Sequence, residues 1–582
     1  VGPSGVGKTA LVWELSRQMS KRKINGEIWE TTASTMIKEL TGQTGWQDSL
    51  ALLCSEMAGQ NYFLFIRNLM ELFEVGQYEG SNVSMADFLR PYINQGALNL
   101  ITECTEEELA KIQLRSPNYT DVFQIIKLQE PQEDLEDIIV NKVLDLAQAG
   151  QIKFELQAIK ETIRLNRRFS PYAGFPGKPI RFLESILLNI KSIGKRQTIT
   201  GKQVIEHFCE EAGMPNFLVD PEIPMDLKAI KTDFKSELFG QDQAVEHVVN
   251  LIGSVKTALS RTGKPIASFL FIGPTGVGKT EMAKILAKFT FGSRNRMIRF
   301  DMSEYSDPYA ITRLTGTNYF TDGVLTSAVR REPFCVLLFD EIEKAHPNFY
   351  DLLLQILGEG RLSDSRRQLV NFCSTIIIMT SNIGAAGLMS NRISWRNEMD
   401  NELINNHFVN AVQKHFRPEL FNRIDQVIPF EPLSKETIRY VIERELAILK
   451  KREGIRFRNM DYHITDEAID YLAEIGFSTK YGARQLQRTL REYLVIPLSK
   501  KLNLLEFDEQ IIVDVLLKNN EIELCIESDP LSLDLLMEKL DIINQADEAS
   551  ELRRSMCKLM DGYCYLNMRS ELDILERERK SL

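Results

Sequence analysis

FLFIGPTGVGKTEMAKILA, residues 269–287, is an apolar run that stops at a glycine-rich loop and resumes as a helical pattern after Lys279 and Thr280. An apolar strand before such a loop and a helix behind it aim the loop's backbone. Gly273, Pro274, Thr275, Gly276, Val277 and Gly278 can then close their N–H groups around phosphate oxygens. Lys279 adds a point charge on those oxygens, and the Thr280 hydroxyl is placed for Mg²⁺. The pattern is that of a nucleoside triphosphate loop. It commits the surrounding chain to an α/β fold built on a parallel sheet.

Downstream, CVLLFDEIEKAHP, residues 335–347, supplies what the loop lacks. Val336–Phe339 reads as a fully buried strand that delivers Asp340 and Glu341 to its carboxyl end, where open α/β sheets bind ligands. Asp340 is expected to share Mg²⁺ with Thr280, and Glu341 to orient and polarise an attacking water. ATP and Mg²⁺ are the cofactors this set calls for.

The loop pattern occurs twice. VGPSGVGKT, residues 1–9, offers Gly5, Gly7, Lys8 and Thr9 to a second triphosphate. NYFLFIRNLMELF, residues 61–73, comes after it at nearly the same interval, but its apolar run ends in Arg67 and Asn68. Glu71 is the nearest carboxylate, about one helical turn beyond the strand end and too far to substitute. The first module is therefore expected to hold nucleotide without hydrolysing it, with Arg67 partly replacing Mg²⁺ as counter-charge.

At 582 residues the chain exceeds one core. The sequence divides into a first large domain at 1–130, a helical lid at 131–213, a linker with a second large domain at 214–430, a second lid at 431–528 and a helical extension at 529–582. The lid helices are read from EPQEDLEDIIVNKVLDLAQAG, after Pro131, and LSKETIRYVIERELAILKKRE, after Pro432, both apolar every three to four residues. EEAGMPNFLVDPEIPMD, residues 210–226, reads as an extended linker because of its three prolines. Leu552, Met556, Leu559, Tyr563 and Leu566 form a short heptad-like seam expected to pack on its own module.

The composition, 43% apolar and 26% charged, is that of a globular protein, and a net charge of −11 argues against nucleic acid as a partner. No apolar stretch approaches a membrane span, and a cytoplasmic location is expected by default. Eight scattered cysteines with no CxxC pair imply buried thiols rather than a metal or disulfide role. A chain opening at Val1, with almost no strand before its first loop and no initiator Met, reads as an N-terminally truncated fragment.

GPTGVGKTEMAK, RFDMSEYSDP, LTSAVRREPFCVLLFDEIEKAHPNFYDLLLQIL, TIIIMTSNIG, HFRPELFNRIDQVIPFEPL and KYGARQLQR, spread over about 225–526, closely resemble the second ATPase module of the Clp family of tandem AAA+ unfoldases. Residues 1–215 resemble the family's first module more faintly. The resemblance implies two tandem AAA+ modules, each a parallel-sheet domain followed by a helical lid. It makes Asn382 the sensor that holds the lytic water, Arg423 the arginine finger and Arg484 the lid residue that reads the γ-phosphate. Because the family's finger reaches a neighbouring subunit's nucleotide, it also implies a homo-oligomeric ring, typically a hexamer, acting as a chaperone on polypeptide substrates, with an adaptor protein as a possible further partner.

The chain departs from the family in several places. In the first module the sensor falls at Cys104 or Thr105, and TDVFQ puts Asp121 and Val122 where finger arginines stand. The pore loop shortens to TGTNYFTDGV, leaving Tyr319 and Phe320 as candidate substrate grips. The interval between the first lid and the linker leaves no room for the coiled-coil middle domain of ClpB-type disaggregases. RISWR, residues 392–396, lacks the glycine of a protease-docking loop, which demotes both disaggregation and protease feeding. The resulting expectation is an ATP-driven protein unfoldase powered by the second module. The alternatives are a dedicated remodeller of one complex, such as a secretion-system sheath, and a nucleotide-controlled ring scaffold.

Overall fold

Alternating buried runs and helical stretches resolve, in the computed structural model, into two separate parallel sheets, each with its own phosphate loop. The structure describes residues 1–530 apart from 41–44, 77–82, 151, 173, 194–197, 258–262, 318–320, 366–367, 385–400, 451, 453–454, 456–459, 477–482, 504–508 and 519–520. The chain divides into two compact units, Val1–Glu211 with Ser363–Cys373, and Ala212–Leu362 with Ser374–Leu582. Among the described residues no helix is long and apolar enough to cross a membrane.

In the first unit, strands Glu27–Thr31, Tyr62–Ile66 and Asn99–Thr102 lie side by side in that order, all parallel. The register pairs Ile66 with Thr102, so the next residues, Arg67 and Glu103, leave the sheet together. Val1 fills the place of a strand's last residue: Leu128 N donates to Val1 O at 2.8 Å, and Gly2 N to Cys104 O at 3.2 Å. The core beneath gathers Trp46, Leu50, Leu64, Phe73, Leu89 and Tyr119, with the Tyr119 hydroxyl donating to Ala86 O at 3.2 Å. Four longer helices come next, Leu135–Gly150, Leu156–Phe169, Gly177–Ile193 and Gly201–Ala212.

In the second unit, five parallel strands run in the order Gln426–Pro429, Ala267–Ile272, Ile376–Ser381, Val336–Asp340, Met297–Asp301. Every residue of Ala267–Ile272, Val336–Asp340 and Ile376–Ser381 is buried, which is why these strands read as continuous apolar runs rather than alternating ones. Phe339 is fully buried, with Phe300 at 5.7 Å and Phe349 at 5.1 Å between ring centroids. Phe339→Ala is expected to destabilise this unit by about 3–5 kcal/mol, read as a lowered midpoint in chemical denaturation.

Two expectations need correction. The stretch at 210–226 is not wholly extended: Gly201–Ala212 runs into it, and Asn216–Val219 forms a further turn with Pro215 as its N-cap. Proline presets a helix start as readily as it breaks one. Lys256 pins this stretch in place by donating to Phe217 O at 2.7 Å and to Ile223 O. The second lid is also not purely helical. Beside helices Lys435–Lys450, Asp466–Gly476 and Ala483–Leu490 it carries a sheet of Met460–Ile464, Glu509–Lys518 and Glu521–Pro530. Met460–Ile464 and Glu509–Lys518 pair over a long sequence separation, which local periodicity does not reveal. The extension at 531–582 lies outside the described residues.

Candidate active site

The second phosphate loop turns on glycines held at positive φ: Gly273 at 152°, Gly276 at 76° and Gly278 at 108°. Gly278 caps the helix Lys279–Phe291, and a Cβ there would meet Leu238 Cδ1 at 2.7 Å as well as straining the backbone. Lys279 is 8% exposed; its Nζ donates to Gly273 O, to Pro274 O and Ser381 O at 3.1 Å each, and to Asn382 Oδ1 at 2.7 Å. Thr280 comes next in the first turn of that helix. The loop lysine and the sensor asparagine therefore meet directly.

Asp340 ends the central strand and is 5% exposed. Its Oδ1 accepts from Thr380 Oγ1, and Arg299 Nη2 lies 2.6 Å from Oδ2. Glu341 takes a left-handed backbone, φ 56° and ψ 53°, which is uncommon outside glycine, and its N donates to Thr380 Oγ1 at 3.0 Å. The Glu341 carboxylate pairs with Lys344, whose pKa the hydrogen bond raises. Lys344 is about half exposed, so the pair is worth little and lets the carboxylate swing.

Three residues of this cluster escape the sequence reading: Arg299 and Thr380 on Asp340, and Glu343. Glu343 Oε1 accepts from Asn382 N at 3.0 Å, while its Oε2 is buried without a partner among the described residues. Burial, and after it the charge of Glu343, pushes the Tyr350 phenol up to about 12.

The lid is fastened to this loop. Ala483 N donates to Gly276 O at 3.0 Å, which brings the start of the helix bearing Arg484 onto the loop; the Arg484 side chain lies outside the described residues. Arg444 Nη2 bonds Glu281 Oε1 at 2.6 Å and its Nη1 bonds Glu237 O at 2.9 Å. Burial alone would raise the Glu281 pKa, but the charges and hydrogen bonds around it, that of Arg444 foremost, outweigh burial and hold the carboxyl below its ordinary value. Gln241 makes a second clasp, donating to Glu431 O at 2.8 Å and accepting from Glu431 N at 3.0 Å.

Arg423 is not brought to this loop. It is exposed, and its Nη1 donates to Leu354 O near the carboxyl end of the helix Pro347–Glu359, where a cation is favoured. Tyr319 and Phe320 lie outside the described residues; the flanking pairs Gly316–Thr317 and Thr321–Asp322 run antiparallel.

The first loop repeats the second in shape. Gly5 and Gly7 have φ of 90° and 99°, and Lys8 Nζ donates to Gly2 O at 2.8 Å and Pro3 O at 2.9 Å. Gly177 N donates to Gly5 O at 2.9 Å, as Ala483 does to Gly276, which makes Lys178 the positional counterpart of Arg484. The bond from Gly2 N to Cys104 O matches that from Gly273 N to Ser381 O, both 3.2 Å, so Thr105 rather than Cys104 stands where Asn382 does. The Thr105 hydroxyl is committed to a capping box with Glu108.

The acids differ from expectation. Arg67 is no counter-charge at the loop: it pairs with Glu30 and lies over the Trp13 ring, 5.5 Å from its centroid. Asn68 Oδ1 caps the helix Leu69–Glu74 by accepting from Met70 N at 2.9 Å. Glu71 bonds Ser34 N at 3.0 Å, away from the loop. The expectation that no carboxylate serves the first loop is overturned by Glu103: Thr9 Oγ1 donates to its Oε1 at 2.7 Å. The sequence hides this because the acid directly follows the strand next to the one where it was sought.

Family models match at residues 264–427, an AAA domain of the Cdc48 subfamily, and at 433–515, the C-terminal D2-small domain of ClpB protein. The chain is 35% identical to the chloroplastic chaperone protein ClpB3 of Arabidopsis thaliana over 66% of this chain and 42% of that one. It is 31% identical to a ClpA homolog protein of Fuscovulum blasticum over 86% of this chain and 64% of that one. With the ClpE ATP-binding subunit of Bacillus subtilis the identity is 28%, over 90% and 81%. The chain thus spans less than two thirds of the length of the first two. Among solved structures, an S. cerevisiae Hsp104–casein complex in an extended conformation superposes with a TM-score of 0.75 at 26% identity, covering 90% of this chain and 92% of that one.

Proposed function

Since the chain is a tandem AAA+ ATPase of the Clp family, we propose that it hydrolyses ATP at its second module and uses the cycle to unfold or remodel polypeptides as a homo-oligomeric ring. The observation that carries this reading is the single cluster in which Lys279 reaches Asn382 and Asp340 and Glu341 close the neighbouring strand. Thr280 and Asp340 would hold Mg²⁺, which supplies charge neutralisation of the triphosphate. Lys279 binds phosphate oxygens, Glu341 polarises the water, and Asn382 positions it.

The two captured acids, Asp340 by Thr380 and Arg299, Glu343 by Asn382, keep the strand ends aligned without spending side-chain entropy at the moment of reaction. Arg423 is the proposed finger toward a neighbouring copy, and Arg484 the γ-phosphate reader. The first module holds nucleotide without turning it over, since Asn68 replaces the water-activating acid and is occupied as a cap. The division of the chain into five parts, with large domains and lids alternating, belongs to this reading. The partners proposed are polypeptide substrate and further copies of the chain, not nucleic acid. A cytoplasmic setting is part of the proposal.

The shortened sequence TGTNYFTDGV in place of a longer pore loop favours a second reading, a nucleotide-controlled scaffold or a dedicated remodeller. The two are separated by Tyr319→Ala with Phe320→Ala in the full assembled chain, given an unfolded model polypeptide labelled with a fluorophore. Threading predicts substrate processing reduced about tenfold or more with ATPase within about twofold of the parent. Unchanged substrate processing would instead leave the scaffold reading standing.

A further inference from the structure

The two modules place their acids on different strands. In the second, the carboxylate of Asp340 ends the strand Val336–Asp340, and Thr380 on the adjacent strand bonds it. In the first, the register that pairs Ile66 with Thr102 sets Arg67 opposite Glu103, so acid and neighbour have changed places. Strand Asn99–Thr102 is also the one next to the loop, because Gly2 bonds Cys104, while Tyr62–Ile66 lies one strand, about 4.8 Å, further out. Glu103 thus approaches the loop from a closer strand.

Its two oxygens are in different circumstances. Oε1 accepts the Thr9 hydroxyl at 2.7 Å. Oε2 is buried and has no hydrogen-bond partner among the described residues. A buried carboxylate oxygen without a donor is costly, and on a carboxylate whose other oxygen already holds a phosphate-loop hydroxyl it is a place for a hydrated divalent cation. A threonine that lends its oxygen lone pair to a metal keeps its hydrogen for an acceptor, and Glu103 is that acceptor.

We propose that Glu103 is the magnesium-binding acid of the first module, standing in for the acid missing at Arg67. The inference rests on the reading of Gly2–Thr9 as a nucleotide holder and adds to it that the nucleotide is held as its Mg²⁺ complex. The positions equivalent to Glu341 and Asn382 are otherwise engaged, Asn68 as a helix cap and Thr105 in a capping box. The site retains a metal nucleotide and does not consume it.

The test uses the full chain carrying Lys279→Ala, which removes phosphate binding at the second loop, and a fluorescent ATP analogue titrated in Mg²⁺ and in EDTA. Binding is expected to be about tenfold or more tighter with Mg²⁺. Adding Glu103→Gln should bring that ratio close to one while leaving affinity in EDTA within about twofold. Mn²⁺ bound beside the analogue, read by its paramagnetic signal, should be lost in parallel. An undiminished Mg²⁺ ratio in Glu103→Gln overturns this inference alone. No analogue binding in the Lys279→Ala chain overturns the nucleotide-holding reading as well. Should Glu103→Gln fail to fold, Thr9→Val carries the same comparison, with the same ratio expected to collapse.

Discussion

Glu341→Gln is expected to lower the ATPase rate of the chain by about 10²–10⁴-fold, with nucleotide affinity changed no more than a few-fold. The amide keeps the shape and the left-handed backbone of residue 341 but cannot take a proton from water. Asp340 stays bonded to Thr380 and Arg299, so the metal-facing side of the site is untouched. The ion pair with Lys344 disappears at little cost in stability, because that lysine is about half exposed. The measurement is steady-state phosphate release beside equilibrium binding of labelled nucleotide. The size of the remainder also judges the first module: a residual above about a tenth of the parent rate would mean that Gly2–Thr9 hydrolyses ATP too.

How much of the site the sequence makes legible depends on how the chemistry is laid out along the chain. Lys279, Thr280, Asp340 and Glu341 lie in two contiguous stretches in which strand, loop and acid are read in a single pass, and the structure brings those stretches to one end of the sheet. Glu103 is equally close to its loop but cannot be found that way. Its role depends on which strand neighbours which, and TECTEEE reads locally as a helix start with an ordinary acidic first turn. Arg444 and Glu281 are in the same position, two largely buried charges from distant stretches whose pairing only the folded lid reveals. The lid sheet escapes for a related reason. Met460–Ile464 finds its partner at Ile511–Val515, and no local turn announces the pairing.

Arg423→Ala is expected to lower kcat by about 10³–10⁵-fold with little change in nucleotide affinity, the loss that follows when a guanidinium that neutralises transition-state charge is removed. Within its own chain Arg423 has nothing to do with the Gly273–Thr280 loop among the described contacts; it is exposed and leans on Leu354 O. A group so placed acts on a second subunit or not at all. Mixing decides which. Chains bearing Arg423→Ala keep Glu341, and chains bearing Glu341→Gln keep Arg423, so each lacks what the other supplies. In a ring with head-to-tail contacts, a one-to-one co-assembly regenerates complete sites where the first kind meets the second, about a quarter of the total. Activity returning to that order, from two preparations that are each nearly inert, is the result expected of a finger acting in trans. A mixture no more active than its components would place the guanidinium outside the reaction and leave Arg423 to its contact with Leu354 O on the helix Pro347–Glu359.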